Sequence, residues 1–116
     1  REFVLKKMQE CHLFVLLSYH DLAPSVVGEA YASGLPVIAL DTDGFRHIVD
    51  SSSGALLFTN SSEQVENDLA QTVKYFYEQE QERQKLAKNA LSRASCLTFD
   101  AKEKDLIDYI EQHLRK

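Results

Sequence analysis

Two carboxylates in residues 18–34, SYHDLAPSVVGEAYASG, are of a type and spacing that invite chemistry. Asp21 stands shortly past an apolar run, 13–17 (LFVLL). Glu29 follows after seven intervening residues, ahead of a second apolar run, 37–40 (VIAL). A carboxylate can accept hydrogen bonds from a diol such as a ribose, and charge-assisted hydrogen bonds are about twice as strong as neutral ones. The same positions also fit a plainer role, in which Asp21 caps a turn and Glu29 complements a helix dipole.

The elements around these residues decide what they can reach. Short, branched, continuous apolar runs are what parallel strands buried on both faces look like, so 13–17 and 37–40 are expected as strands. Between them 25–33 reads as a short helix, with Gly34 suited to the left-handed position past its end and Pro36 preventing continuation. A strand, loop, helix and strand in this order form a right-handed crossover. In open α/β sheets ligands bind beyond the carboxyl ends of the strands. Two loops fall there, 18–24 and 41–44. Pro24 fits the first helical turn. The N–H groups from Ser25 and Val26 onward lack intrahelical partners, so a phosphate placed there is stabilised by them and by the helix dipole. Gly28 lets a ligand or a neighbouring backbone come close. His20, in the first loop, is a candidate for direct chemistry or a loop residue with one hydrogen bond. His47 either lines the site or caps a short turn, and His113 reads as surface.

The flanking segments are mostly helical. Residues 1–10 place Phe3, Val4 and Met8 on one helical face. A turn at 45–49 and a third strand at 55–58 follow the second loop. Ser61 with Gln64 looks like a capping box, and Val65, Leu69, Val73 and Phe76 form one face of the helix after it. A second amphipathic helix is expected over 81–95. Asp100 with Glu103 is expected to cap a third, whose buried stripe would be Leu106, Ile107, Ile110 and Leu114.

Composition narrows the function classes. The 116 residues are 44% hydrophobic and 27% charged, which fits one small globular domain. The net charge of −5 argues against nucleic acid, which wants a basic stripe. No run approaches the roughly 18–20 apolar residues of a membrane span, and no signal segment opens the chain. Cys11 and Cys96 lack metal-ligand spacing, and adjacent His12 does not change that, so two reduced, packed thiols and no metal are expected. Three parallel strands make a small sheet beside the usual five or six or so. The reading is therefore one domain over 1–116, the second half of a larger doubly wound Rossmann-like sheet. Its uncovered edge would then favour self-association.

Residues 11–54 resemble the C-terminal nucleotide-binding domain of GT-B glycosyltransferases, and family 4 most of all. That family has an apolar strand ending in Ser, a Glu, seven residues and a second Glu followed by Ala. A small-residue segment ending in Gly-x-Pro, a strand and a glycine loop come next. Here the order is FVLLS-YHD-LAPSVVG-EAYASGLPVIAL-DTDGF, with SSGALLF and amphipathic helices after it. The segment EAYASGLPVIAL matches the family almost position for position.

The resemblance implies an α/β fold, the C-terminal part of a GT-B domain followed by amphipathic helices. It implies a retaining, metal-independent hexosyltransferase that takes a nucleotide-sugar donor as substrate and uses no cofactor. Glu29 takes the position of the Glu that binds the ribose hydroxyls, and Asp21 that of the Glu that contacts the donor sugar, one methylene shorter. Pro24, Ser25 and Val26 fall where the donor's diphosphate is held. Leu22 and Ala23 replace the glycine-rich residues near the sugar, while Gly44, Phe45 and His47 replace a Gly-Gly and a later Glu. The sugar, lipid or other acceptor, and the Arg and Lys that also grip the diphosphate, belong to an upstream half, so this chain alone is expected to be inactive. A cytoplasmic enzyme, or one peripheral at the cytoplasmic membrane face, is the corresponding localisation. A GT-B sugar-nucleotide epimerase and a non-catalytic Rossmann-like partner-binding module stand as alternatives.

Overall fold

The computed structural model describes residues 2–18, 25–95 and 99–114. The elements run α1 (Glu2–Glu10), β1 (Phe14–Leu16), α2 (Ser25–Ala32), β2 (Val37–Leu40), α3 (Asp43–Arg46), β3 (Gly54–Leu57), α4 (Ser62–Glu78), α5 (Glu80–Ala94) and α6 (Phe99–Leu114). The three strands form one parallel sheet in the order β1-β2-β3. Phe14 pairs with Val37, and Val37 in turn with Gly54. All four residues of β2 are buried, as a central parallel strand between two covered faces requires.

Alternation along the strands sorts side chains to the two faces. Phe14, Leu16, Val37, Ala39 and Leu56 pack with Met8 of α1, Val27, Ala30 and Tyr31 of α2, and Ala90 of α5. Ile38, Leu40 and Leu57 pack on the other face with Val65, Leu69 and Phe76 of α4 and Leu86 of α5. α5 thus contributes to both layers.

Local signals fix several boundaries. Gly34 has φ +75°, its N–H bonds the Tyr31 carbonyl at 2.9 Å and the Leu35 N–H bonds that of Ala30 at 3.0 Å. This pair of bonds is a Schellman motif, and it turns the chain directly into β2. Gly54 is required by close approach, since a Cβ there would lie 1.9 Å from the Val37 carbonyl oxygen. The Ser61 hydroxyl accepts from the Gln64 N–H at 3.1 Å, while Gln64 Oε1 accepts from Asn60 N–H at 2.9 Å. The capping pair is therefore present, with its return bond one residue upstream of the usual place.

Five expectations need correction. Leu106, Ile107 and Ile110 are 59%, 48% and 42% exposed, because both faces of the sheet are already covered by α2, α4 and α5. The side chain of Leu114 lies outside the described ones. α6 opens at Phe99, one residue ahead of the expected Asp100 cap; the side chains of Asp100 and Glu103 are likewise outside. Phe3 is 70% exposed and Met8 lies in the core, the side chain of Val4 is outside the described ones, and the Lys7 ammonium lies 5.6 Å from the Phe3 ring centre. Val73 is exposed at the margin of the α4 stripe. Cys11 is exposed rather than packed, and Cys96 falls outside the described residues.

Candidate functional site

The parallel sheet puts the carboxyl ends of β1 and β2 on one side, and the segment entering α3 leaves β2 there. His20, Asp21, Leu22, Ala23 and Pro24 lie outside the described residues. From Ser25 onward α2 is in place. Its first turn carries no acidic residue, so its N-terminal N–H groups face no carboxylate from their own turn, and the partial positive charge there suits an anion. Val26 is half-buried against the core, which anchors that turn, while its backbone N–H is one of the first-turn donors without an intrahelical partner.

Glu29 is half-buried, one turn into α2. At about 100° per residue it lies across the helix from Val27, Ala30 and Tyr31, the residues that hold α2 to the sheet. Its backbone carbonyl accepts from the Ser33 N–H at 3.1 Å and from the Ser33 hydroxyl at 3.0 Å. These bonds tie the Glu29 backbone into the last turn of α2.

Beyond β2 the Asp41 N–H extends the ladder to the Leu57 carbonyl at 2.8 Å. The Asp41 carboxylate accepts from Arg46 Nε at 2.9 Å, across one turn of chain. Thr42 precedes α3 in extended conformation without capping it through its side chain, and its hydroxyl is buried with no hydrogen-bond partner. Gly44 lies within α3 rather than in an open loop. Phe45, expected to line the site, is fully buried and packs in the core beside Val49. It is the anchor of α3 and not a wall of a pocket. His47 follows α3 and is exposed.

The residues that hold the connection from α3 to β3 were missed by sequence reasoning. In the last turn of α5 Arg93 donates from Nε to the Ile48 carbonyl at 2.6 Å and from Nη2 to the His47 carbonyl at 3.2 Å. Its Nη1 lies 3.3 Å from Asp50 Oδ2. One turn earlier Asn89 donates to the Ser52 carbonyl at 2.7 Å. From α2, the Tyr31 hydroxyl lies 3.3 Å from the Ile48 carbonyl and 2.8 Å from the buried Ser53 hydroxyl. Burial pushes the Tyr31 hydroxyl above its ordinary range, so it stays a neutral donor. The Ser52 hydroxyl beside Asp50 holds that carboxyl below its usual value, with Arg93 contributing in the same direction. No spacing rule links Tyr31, Ile48 and Arg93, because carbonyl oxygens carry no sequence signature.

Among the described residues no three metal-ligating side chains come together, and no helix is long and apolar enough to cross a membrane. The family model described as glycosyl transferases group 1 matches residues 2–93. Among solved structures the chain is similar to the pneumococcal O-GlcNAc transferase GtfA, determined in complex with UDP and GlcNAc. The TM-score is 0.77 at 18% identity, over 97% of this chain and 23% of that one. No curated protein sequence matches. The fold is a GT-B type α/β arrangement with a three-stranded parallel sheet, and this chain spans about a quarter of that neighbour's length.

Proposed function

The chain belongs to the glycosyl transferases group 1 family, and from that premise we propose that it forms the donor-binding part of a retaining glycosyltransferase of family 4. The observation that carries the reading is the side of the sheet where α2 begins: an N-terminus free of acidic residues in its first turn, with Glu29 one turn further on. In this reading the N–H groups of Ser25 and Val26 hold the diphosphate of a nucleotide-sugar donor and Glu29 accepts from the ribose hydroxyls. Asp21 meets the donor sugar, His20, Leu22 and Ala23 line the site, and Pro24 belongs with the diphosphate-binding residues.

As the sugar leaves, negative charge grows on the departing diphosphate oxygen. Preorganised N–H donors stabilise that charge without reorganising, and each such donor is worth about 3–4 kcal/mol where it has been removed from other enzymes. A hexose is the sugar class proposed, with a sugar, lipid or other acceptor bound by residues outside this chain. No metal is needed when amides and a helix dipole carry the charge. Complete transfer then requires the longer protein, cytoplasmic or peripheral at the cytoplasmic membrane face, and this chain alone binds nucleotide without turning over.

The test is calorimetric titration of the full-length protein with UDP, ADP and GDP. One of the three should bind, and Glu29→Ala should weaken it by about tenfold or more, the loss of roughly 1.5–3 kcal/mol expected for a hydrogen bond to a charged group. Binding of none, or an unchanged affinity in Glu29→Ala, overturns the assignment.

A further inference from the structure

The 46–53 segment connects the candidate site to β3, and it is gripped from two helices at once. α3 has four residues, too few to hold a helical turn by its own hydrogen bonds, so its place is set by tertiary contacts. Phe45 and Val49 fix it to the core by burial. Its exit is fixed by Arg93, whose guanidinium takes the His47 and Ile48 carbonyls together and pairs with Asp50. The Ile48 carbonyl also faces the Tyr31 hydroxyl, two residues beyond Glu29 on α2. One peptide oxygen is therefore the meeting point of α2, α5 and the α3 turn.

We propose that Arg93 is a positioning residue for the ligand site, setting through the Ile48 carbonyl where the 41–44 loop stands relative to α2 and Glu29. The inference rests on the reading of this side of the sheet as a nucleotide-binding site. A planar fork of donors reaching two successive carbonyls and a carboxylate defines an orientation, which a lysine's single ammonium on a flexible stem does not. Rotation of α3 about Phe45 is what this fork prevents, and such a rotation would carry Asp41, Thr42 and Gly44 with it. Asn89 and Ser53 hold the far end of the segment, so loss of Arg93 frees the near end, next to the site.

The experiment compares Arg93→Ala, Arg93→Lys and Leu86→Ala in the full-length protein. Leu86 lies on the same helix but packs on the opposite face of the sheet. Affinity for UDP, ADP and GDP, melting temperature and hydrogen exchange of the Phe45, Arg46, Ile48 and Val49 amides are measured. These amides bond within the α3 turn, to the Thr42 and Phe45 carbonyls. Arg93→Ala is expected to speed their exchange and weaken the best-bound diphosphate about tenfold, equivalent to about 1.4 kcal/mol. Arg93→Lys should recover melting temperature more completely than affinity. Leu86→Ala should lower the melting temperature at least as far and leave affinity within about twofold, as for distant, uncoupled sites. Affinity losses that track melting temperature across all three variants, or faster exchange with unchanged affinity, overturn the positioning role alone. A wild-type protein that binds none of the three diphosphates overturns the functional reading beneath it.

Discussion

α5 and α6 are nearly equal in length, 15 and 16 residues, and both carry an amphipathic repeat, yet they end up in opposite situations. α5 buries Leu86 in one layer and Ala90 in the other, and its last two turns hold the α3–β3 segment through Asn89 and Arg93. α6 presents Leu106, Ile107 and Ile110 outward. The sequence patterns do not distinguish them. What distinguishes them is the supply of apolar surface, since a three-stranded sheet offers two narrow faces and α2, α4 and α5 have taken both. A periodic stripe states that a helix can bury one face; whether anything is there to bury it against is a property of the whole fold.

The sharpest way to break the comparison is Leu86→Ala. Leu86 is buried beside Ile38, Leu40 and Phe76, and large-to-small substitution at such a position costs about 2–5 kcal/mol through lost transfer energy and the cavity left behind. Urea denaturation should show a lower midpoint with the slope unchanged. A cost below about 1 kcal/mol would place α5 in the same class as α6. Arg93→Ala should come second, at about 1.5–3 kcal/mol for hydrogen bonds from a charged donor, the lower end being favoured because the Ile48 carbonyl keeps Tyr31 nearby. Were Arg93→Ala the costlier of the two, the attachment of α5 would be polar first and apolar second.

This contrast also marks what the sequence discloses. β2 was legible because VIAL is continuous and branched, and Gly34-Leu-Pro36 announces the stop before it. The Ser61 cap was legible because cap and partner are three residues apart. These are all local signals. The exposure of α6 was not legible, since the extent of the sheet is not written in the helix. The interior position of Phe45 was not legible either, because a glycine-flanked aromatic reads equally well as a site wall or an anchor. Arg93 reaches carbonyls 45 and 46 residues away, and a carbonyl belongs to every residue type. At the site, position made Ser25, Val26 and Glu29 candidates, and family resemblance supplied the ligand. The segment with Asp21 lies outside the described residues.

Acidification probes the same attachment more gently. The Asp50 carboxyl is held below its ordinary value by Ser52 and then by Arg93. A depressed folded-state value means that stability is fully present above the unfolded value, near 3.8, and is lost as pH falls through the folded one. The loss should be under about 1 kcal/mol, because the group is half-exposed and screened. Wild type and Asp50→Asn, compared in urea at pH 7 and at pH 3, should differ less at the second than at the first. A difference undiminished at pH 3 would assign the effect of the substitution to packing rather than charge.

The smallest effect is expected in α6, and it is the one that most sharpens the comparison. With Ile107 and Ile110 both facing outward, replacing the pair by serine removes no buried contact and leaves no cavity. Stability should therefore remain within about 0.5–1 kcal/mol of wild type, the sum of two ordinary surface substitutions. Helix propensity contributes little of that, since Ile and Ser rank close together. A loss above about 2 kcal/mol would require the stripe to be covered in solution, because only burial of apolar surface yields an effect of that size, at about 25 cal/mol per Å². Repeating the measurement over a hundredfold range of protein concentration separates the two ways of covering it. Concentration dependence would assign the cover to a second copy, since association makes stability depend on protomer concentration, and its absence would assign it to the protein's own chain.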